Sequence, residues 1–142
     1  MTTASDLGTQ PAIVLDTNVL ISAALFRQLA STDAVEKALN QFTPVFTLVT
    51  WDELASVIMR SKLDRYLTPE ARHLYLAKLA SMARVVEARS TVNDCRDPKD
   101  NKFLAIALDA QAAFIVTGDS DLLVLHPYAD ITLCTPAAFL NG

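Results

Sequence analysis

The stretch IVLDTNVLISAALF, residues 13–26, decides how this chain folds. It opens with a short apolar run rich in β-branched side chains, which is typical of a buried strand, and from Val19 onwards its apolar spacing favours a helix. Between the two lie the polar residues Asp16, Thr17 and Asn18. An aspartate directly after a buried strand is poorly placed for a core. Its position therefore indicates either a residue that caps a turn or a ligand at the end of the strand.

Similar apolar runs and helical stretches alternate along the rest of the chain. The predicted strands are residues 12–16, 45–49, 84–87, 113–117 and 131–134. The predicted helices are residues 19–27, 32–41, 98–110, 120–125 and 136–140, with two more that begin at residues 50 and 68. Strands that alternate with helices predict an α/β domain of three layers, α/β/α, around a central parallel sheet of four to five strands.

Length and composition predict one domain. The chain has 142 residues, of which 51% are hydrophobic, enough for a well-filled core. Residues 1–10 are polar without an apolar pattern and are predicted to be a flexible segment, which leaves residues 11–142 as the domain. The first residues do not resemble a signal peptide, and no apolar run is long enough to span a bilayer. Cys95 and Cys134 form no CxxC motif or disulfide framework, so we expect free thiols and a soluble, cytoplasmic protein.

Charge and missing motifs exclude several classes of function. The net charge of −4 argues against a protein that coats nucleic acid, but it is compatible with a nuclease whose acids surround metal ions. The sequence contains no GxGxxG motif and no GxxxxGK[ST] motif, which removes the dinucleotide-binding and P-loop classes. It contains no zinc-ligand spacing either.

Four acids are predicted to meet at one edge of the sheet. Asp16 ends the first strand and Asp119 follows the fourth, and a common strand order places these two strands side by side where ligands bind. Glu53 and Asp100 lie near the starts of helices that begin at the same edge. Carboxylates so close together repel one another, and a cation that prefers oxygen ligands, Mg²⁺ or Mn²⁺, removes the repulsion. Asp16 is therefore predicted to be a metal ligand.

Each of these acids also has a simpler interpretation. Glu53 could close a capping box with Thr50, Asp97 could cap the helix that opens at residue 98, and Asp100 could interact with the dipole of that helix. Asp119 could cap the short helix that follows it. Each signal alone is weak, and the shared location of the acids favours a site.

Four stretches, taken together, resemble the PIN-domain family. They are IVLDTNVLISAALF, TWDELASVIMRSKL, DPKDNKFLAIALDAQAAFIVTGDSDLL and ITLCTPAAFL, in the family's order over residues 12–140. The sequence is most similar to the VapC-like ribonucleases, which are the toxin components of bacterial toxin–antitoxin pairs. The resemblance implies a PIN-like nuclease domain with an acidic pocket at the strand ends.

The resemblance also implies roles for individual residues. The four catalytic acids of the family fall on Asp16, Glu53, Asp100 and Asp119. Of these, Asp16, Asp100 and Asp119 would be the metal ligands. Residues that would support the pocket are Asn18, Thr117, Asp121 and Asp97. Nearby basic side chains could hold RNA phosphates or could be ordinary surface charges, and they are Lys99, Lys102, Arg60, Lys62 and Arg65.

The implied activity is hydrolysis of single-stranded RNA by a metal-dependent endoribonuclease that uses Mg²⁺ or Mn²⁺ and leaves a 5′-phosphate and a 3′-hydroxyl. The implied partners are a cognate antitoxin and a second copy in a homodimer. Two alternatives stay open. One is a haloacid-dehalogenase-like phosphatase, although its usual second aspartate is replaced here by Asn18. The other is a non-catalytic PIN domain that binds a partner.

Overall fold

A five-stranded parallel sheet forms the centre of the protein. The computed structural model describes residues 10–142, so the predicted flexible segment lies, apart from Gln10, outside the described residues. The strands are β1 Ala12–Leu15, β2 Thr43–Phe46, β3 Arg84–Val85, β4 Phe114–Val116 and β5 Thr132–Cys134. Their order in the sheet is β3-β2-β1-β4-β5, and every pair is parallel. The predicted strand number and the predicted adjacency of the first and fourth strands are confirmed.

Seven α-helices connect and cover the strands in the described part of the chain. They are α1 Thr17–Ile21, α2 Leu29–Gln41, α3 Leu48–Ile58, α4 Pro69–Met82, α5 Asn101–Ala110, α6 Ser120–Leu123 and α7 Pro136–Asn141. A π-helical turn, Ser22–Phe26, extends α1, and short 3₁₀ turns occupy Ser61–Leu63 and Pro98–Asp100. The predicted helices therefore exist, and their boundaries differ by a few residues. None of these helices is long and apolar enough to cross a bilayer.

Both faces of the sheet are buried under helices. Ile13 and Leu15 of β1 belong to the core beneath α1, α2, α3, α4 and α7, whereas Ala12 and Val14 belong to the core beneath α5 and α6. Successive side chains of a strand point to opposite faces, so the apolar run before Asp16 contributes to both cores. This arrangement confirms the predicted α/β/α layers. All four residues of β1 are buried, so the first polar side chain, that of Asp16, comes directly after the strand.

The start of α3 corrects one expectation about Glu53. The helix was predicted to begin at residue 50, where Glu53 could have closed a capping box with Thr50, but it begins at Leu48 and its N-cap is Thr47. The Thr47 hydroxyl accepts a hydrogen bond from the Thr50 N–H at 3.2 Å, and the Thr50 hydroxyl accepts one from the Thr47 N–H at 3.0 Å. Thr50 thus closes the box in place of Glu53, whose carboxylate is available for another role.

Candidate metal and catalytic site

The adjacent ends of β1 and β4 bring Asp16 and Thr117 together. The Asp16 N–H donates to the Val116 carbonyl at 3.0 Å, which continues the pairing of the two strands by one residue. The Thr117 hydroxyl donates to Asp16 Oδ2 at 2.7 Å, and the Asn18 N–H donates to Asp16 Oδ1 at 3.1 Å. The Asp16 side chain, in a residue that is only 5% exposed, is therefore fixed in orientation. Asn18 contributes its backbone N–H, and this bond makes Asp16 the N-cap of α1.

Asp119 is placed by the same strand end. Its N–H donates to the Thr117 hydroxyl oxygen at 3.0 Å, so one threonine orients both Asp16 and Asp119. Asp119 Oδ1 accepts the Asp121 N–H at 2.9 Å and caps α6. The simpler interpretation of Asp119 is thus also correct, but this cap occupies one carboxylate oxygen. Asp121 contributes this N–H to the site.

Three carboxylates converge at the end of the sheet. Asp97, Asp100 and Asp119 each offer one oxygen, and these oxygens all lie within 4.8 Å of one another. Asp97 also caps the turn that follows it, since its Oδ1 accepts the Lys99 N–H at 3.1 Å. The sequence alone favoured a structural role for Asp97, and the structure places it both at the cap and in the cluster.

Asp100 is electrostatically the most unusual of these acids. Its Oδ2 is buried and has no hydrogen-bond partner within the described residues. Burial, followed by the hydrogen bond and negative charge of Asp119 and then by the charges of Asp16 and Asp97, raises the pKa of Asp100 to about 7. Burial also raises the pKa of Asp16, and the hydrogen bonds from Thr117 and Asn18 oppose that shift. The site therefore gathers acidic groups whose burial and mutual repulsion disfavour their charged forms.

Glu53 lies at the side of the site and is ion-paired with Lys102 of α5. The Thr17 hydroxyl donates to its other carboxylate oxygen at 3.4 Å. Lys102, a candidate for holding RNA phosphates, pairs its ammonium with Glu53, and its side chain is 28% exposed. The other basic candidates are exposed, and they are Lys99, Arg60, Lys62 and Arg65.

Sequence reasoning missed two contacts at this site. The Thr17 contact to Glu53 and the ion pair of Glu53 with Lys102 join residues that are far apart along the chain. The only available signal was local: Thr17 follows Asp16 directly and opens a helix, and Lys102 lies two residues after Asp100. Without the order of the strands, neither position indicates that Thr17 or Lys102 contacts Glu53.

The residues present fit a divalent cation. The cluster offers carboxylate oxygens, which are the ligands that Mg²⁺ and Mn²⁺ prefer. The buried, unpartnered oxygen of Asp100 is the kind of group that an ion would satisfy. Asp97, Asp100 and Asp119 could contribute ligands directly, and Asp16 adds its charge beside them.

Comparisons with known proteins agree with this geometry. The sequence profile of the PIN domain matches residues 12–121, a range that includes every acid of the site. An uncharacterized protein of Methanocaldococcus jannaschii is 33% identical over 120 residues, which are 80% of this chain and 74% of that protein. A similar fold is found in one chain of the crystal structure of VapBC2 from Rickettsia felis, which is bound to a DNA fragment from its promoter. The two folds match with a TM-score of 0.54 at 11% sequence identity, and the match covers 86% of this chain and 96% of the VapBC2 chain.

This chain belongs to the PIN-domain family. Proteins of this family are generally nucleases, and the acidic cluster of this chain is a possible metal-binding site.

Proposed function

We propose that this protein is a metal-dependent endoribonuclease that hydrolyses single-stranded RNA. The observation that carries the proposal is the convergence of Asp97, Asp100 and Asp119, with a buried and unpartnered Asp100 oxygen, at the carboxyl ends of β1 and β4 of a PIN domain. Membership of this family favours a nuclease over a haloacid-dehalogenase-like phosphatase.

Some residues of the site would bind the ion, and others would orient the ligands and the reactants. Asp16, Asp100 and Asp119 would hold Mg²⁺ or Mn²⁺, directly or through water, and Asp97 extends the set. When bound, the ion supplies positive charge for the phosphate and favours deprotonation of water. Thr117 fixes the position of Asp16 relative to Asp119, since its hydroxyl contacts both residues.

Glu53 and Lys102 complete the proposed reaction. Glu53 would orient the attacking water and accept its proton, with Thr17 holding its carboxylate. Lys102 is positioned to exchange Glu53 for a phosphate oxygen when RNA binds. The water oxygen bonds to phosphorus, the bond from phosphorus to the 3′-oxygen breaks, and that oxygen takes up a proton from solvent, which gives a 5′-phosphate and a 3′-hydroxyl.

The proposed biological role is that of a toxin in a toxin–antitoxin pair. The similar fold of VapBC2, which is described as bound to promoter DNA, supports an antitoxin as a partner of this chain, with a homodimer as the proposed assembly. The free thiols Cys95 and Cys134 are consistent with the reducing cytoplasm in which such a pair would act.

The test is cleavage of end-labelled single-stranded RNA with Mn²⁺, with Mg²⁺ and with EDTA. We expect cleavage with either metal, none with EDTA, and none by Asp16→Asn. Asp33→Asn, which removes an exposed carboxylate from α2, is the matched control and should cleave normally. Hydrolysis of para-nitrophenyl phosphate without RNA cleavage would instead support the phosphatase. Folded protein that cleaves neither substrate would contradict the proposal.

A further inference from the structure

A basic loop lies outside the acidic site of this otherwise acidic protein. Arg60, Lys62 and Arg65 are exposed between α3 and α4. The acid among them, Asp64, is ion-paired with Arg72 of α4. In the described part of the chain, none of the three exposed basic residues forms an ion pair. The loop therefore offers three positive charges in a chain whose net charge is −4.

Two exposed aromatic rings lie against this loop. Phe26 ends the π-helical turn, and Tyr66 lies at the end of the loop; their ring centroids are 5.0 Å apart in an edge-to-face arrangement. The two residues are 45% and 48% exposed. The Arg65 guanidinium lies over the Tyr66 ring, 5.3 Å from its centroid. We call Phe26, Tyr66, Arg60, Lys62 and Arg65 the aromatic–basic patch.

Buried Arg72 holds the patch in one shape. Its Nε donates to the Leu67 carbonyl at 3.0 Å, and its Nη1 donates to the Ile58 carbonyl at 2.8 Å. The same Nη1 donates to the Arg60 carbonyl at 3.2 Å. These bonds fix both ends of the loop, so its backbone would lose little conformational entropy on binding a ligand.

Two helical segments connect the acidic site with the patch. One is α1 with its π-helical turn, and the other is the second half of α3. Asp16 caps α1, and the axis of α1 and its π-helical turn carries the chain at most about 15 Å to Phe26. Glu53 lies within α3, and the loop begins where α3 ends at Ile58. A strand of nucleic acid bound at the acids could therefore reach the patch within a few nucleotides.

We infer that the aromatic–basic patch binds the single-stranded RNA that flanks the cleaved bond. Bases would stack on Tyr66 and Phe26, while Arg60, Lys62 and Arg65 bind the phosphates. Exposed aromatic rings interleaved with cations bind single strands in this way, because every base offers a π face and every nucleotide a phosphate. The inference rests on the proposed nuclease function and specifies its substrate as RNA with an unpaired flank.

The test measures binding and cleavage of a 20-nucleotide single-stranded RNA by patch variants. We expect Tyr66→Ala to raise KM about tenfold with kcat little changed, because stacking on one ring is lost. Joint replacement of Arg60, Lys62 and Arg65 by Gln should make the salt dependence shallower, reducing the slope of log K against log salt by about 2. RNA too short to reach the patch should be cleaved equally by wild type and variants.

Matched controls separate the patch from general surface effects. Leu74→Ala removes an exposed apolar side chain from α4, and joint replacement of Lys78, Arg84 and Arg89 by Gln makes the same change of charge elsewhere. Both controls should bind the long RNA as wild type does. The inference is overturned if patch variants bind and cleave the long RNA normally, or if the two sets weaken binding equally. Normal RNA binding with a changed oligomeric mass would assign the patch to protein contacts and overturn it as well.

Failure of the inference and failure of the nuclease proposal give different results. RNA affinity is also measured in an Asp119→Asn background by fluorescence anisotropy, which does not require cleavage. If wild type cleaves RNA but the patch variants behave normally, only the inference fails. If wild type cleaves nothing but loss of the patch weakens RNA binding, the nuclease proposal fails and the patch remains an RNA-binding surface.

Discussion

Arg72 and Asp100 are both charged residues with buried atoms, and their surroundings differ. Arg72 is fully buried, and its guanidinium is surrounded by three backbone carbonyls and the Asp64 carboxylate. Asp100 has a buried oxygen without a partner and faces further carboxylates. Removing a buried charge whose partners are all supplied by the protein leaves those partners unsatisfied, whereas a buried charge surrounded by like charges is typical of a ligand site. Arg72 thus has its partners within the chain, whereas the acidic site has the features of a possible cation site.

The largest expected effect tests the acidic site. Asp119→Asn should lower the rate of RNA cleavage by about a hundredfold or more, because an uncharged amide binds a divalent cation weakly. The substitution should leave the protein folded, since an amide oxygen can still accept the Asp121 N–H that caps α6. The measurements are single-turnover cleavage and circular dichroism. Cleavage at the wild-type rate would remove Asp119 from the site.

The second largest expected effect concerns the stability that buried Arg72 provides. Arg72→Met should lower the free energy of unfolding by about 3 kcal/mol, because it leaves buried carbonyls at Ile58 and Leu67 without their donor. Lys78→Met on the exposed side of α4 is the control and should change it by less than about 0.5 kcal/mol. Urea denaturation measures both. A loss for Arg72→Met as small as the control's would show that the buried contacts are not needed.

Asp100→Asn should raise the stability of the metal-free protein at high pH, whereas Arg72→Met should lower stability. The pKa of Asp100 is raised from 3.8 to about 7 in the folded protein. Its contribution to stability is therefore fully present below pH 3.8 and is lost as the pH rises through about 7. At pH 8 without metal, the neutral variant should melt about 3 °C or more above wild type, equivalent to about 1 kcal/mol.

Metal ions should reverse that difference. Mg²⁺ or Mn²⁺ should raise the melting temperature of wild type at pH 8 and should have little effect on Asp100→Asn, because ligand binding stabilises only the folded state that binds it. Thermal melts with and without metal at pH 5 and pH 8 test both statements. Equal stabilisation of the two proteins by metal would place the ion elsewhere.

The smallest expected effect concerns the partly exposed ion pair of Glu53 and Lys102. Lys102→Gln should lower the free energy of unfolding by less than about 1 kcal/mol, because water screens the pair. It should nevertheless slow RNA cleavage more than Lys99→Gln, which removes an exposed charge nearby. Comparison of unfolding and cleavage for both variants decides this. Equal cleavage by the two would leave Lys102 with a structural role alone.

Much of the fold and part of the site could be predicted because the signals are local. β-branched runs that alternate with helical spacing fix the type of each element, and Asp16 directly after the first strand indicates a polar strand end. The predicted start of α3 was wrong because two threonines, Thr47 and Thr50, both offered a cap, and only the packed structure selects one. Arg72 gave no signal at all: in a helix where Leu74 is 72% exposed, the arginine is the residue that is buried.

By itself, the sequence determined the elements of this protein, their alternation and the acids at their ends, since neighbouring residues set backbone preference and periodicity. Only the tertiary structure decided which of these residues meet. The order β3-β2-β1-β4-β5 places Asp16 beside Thr117, the turn at residue 98 adds Asp97 to Asp100 and Asp119, and the packing of α3 near α5 pairs Glu53 with Lys102. These contacts join distant parts of the chain, and their energies depend on burial and distance, which no local pattern records.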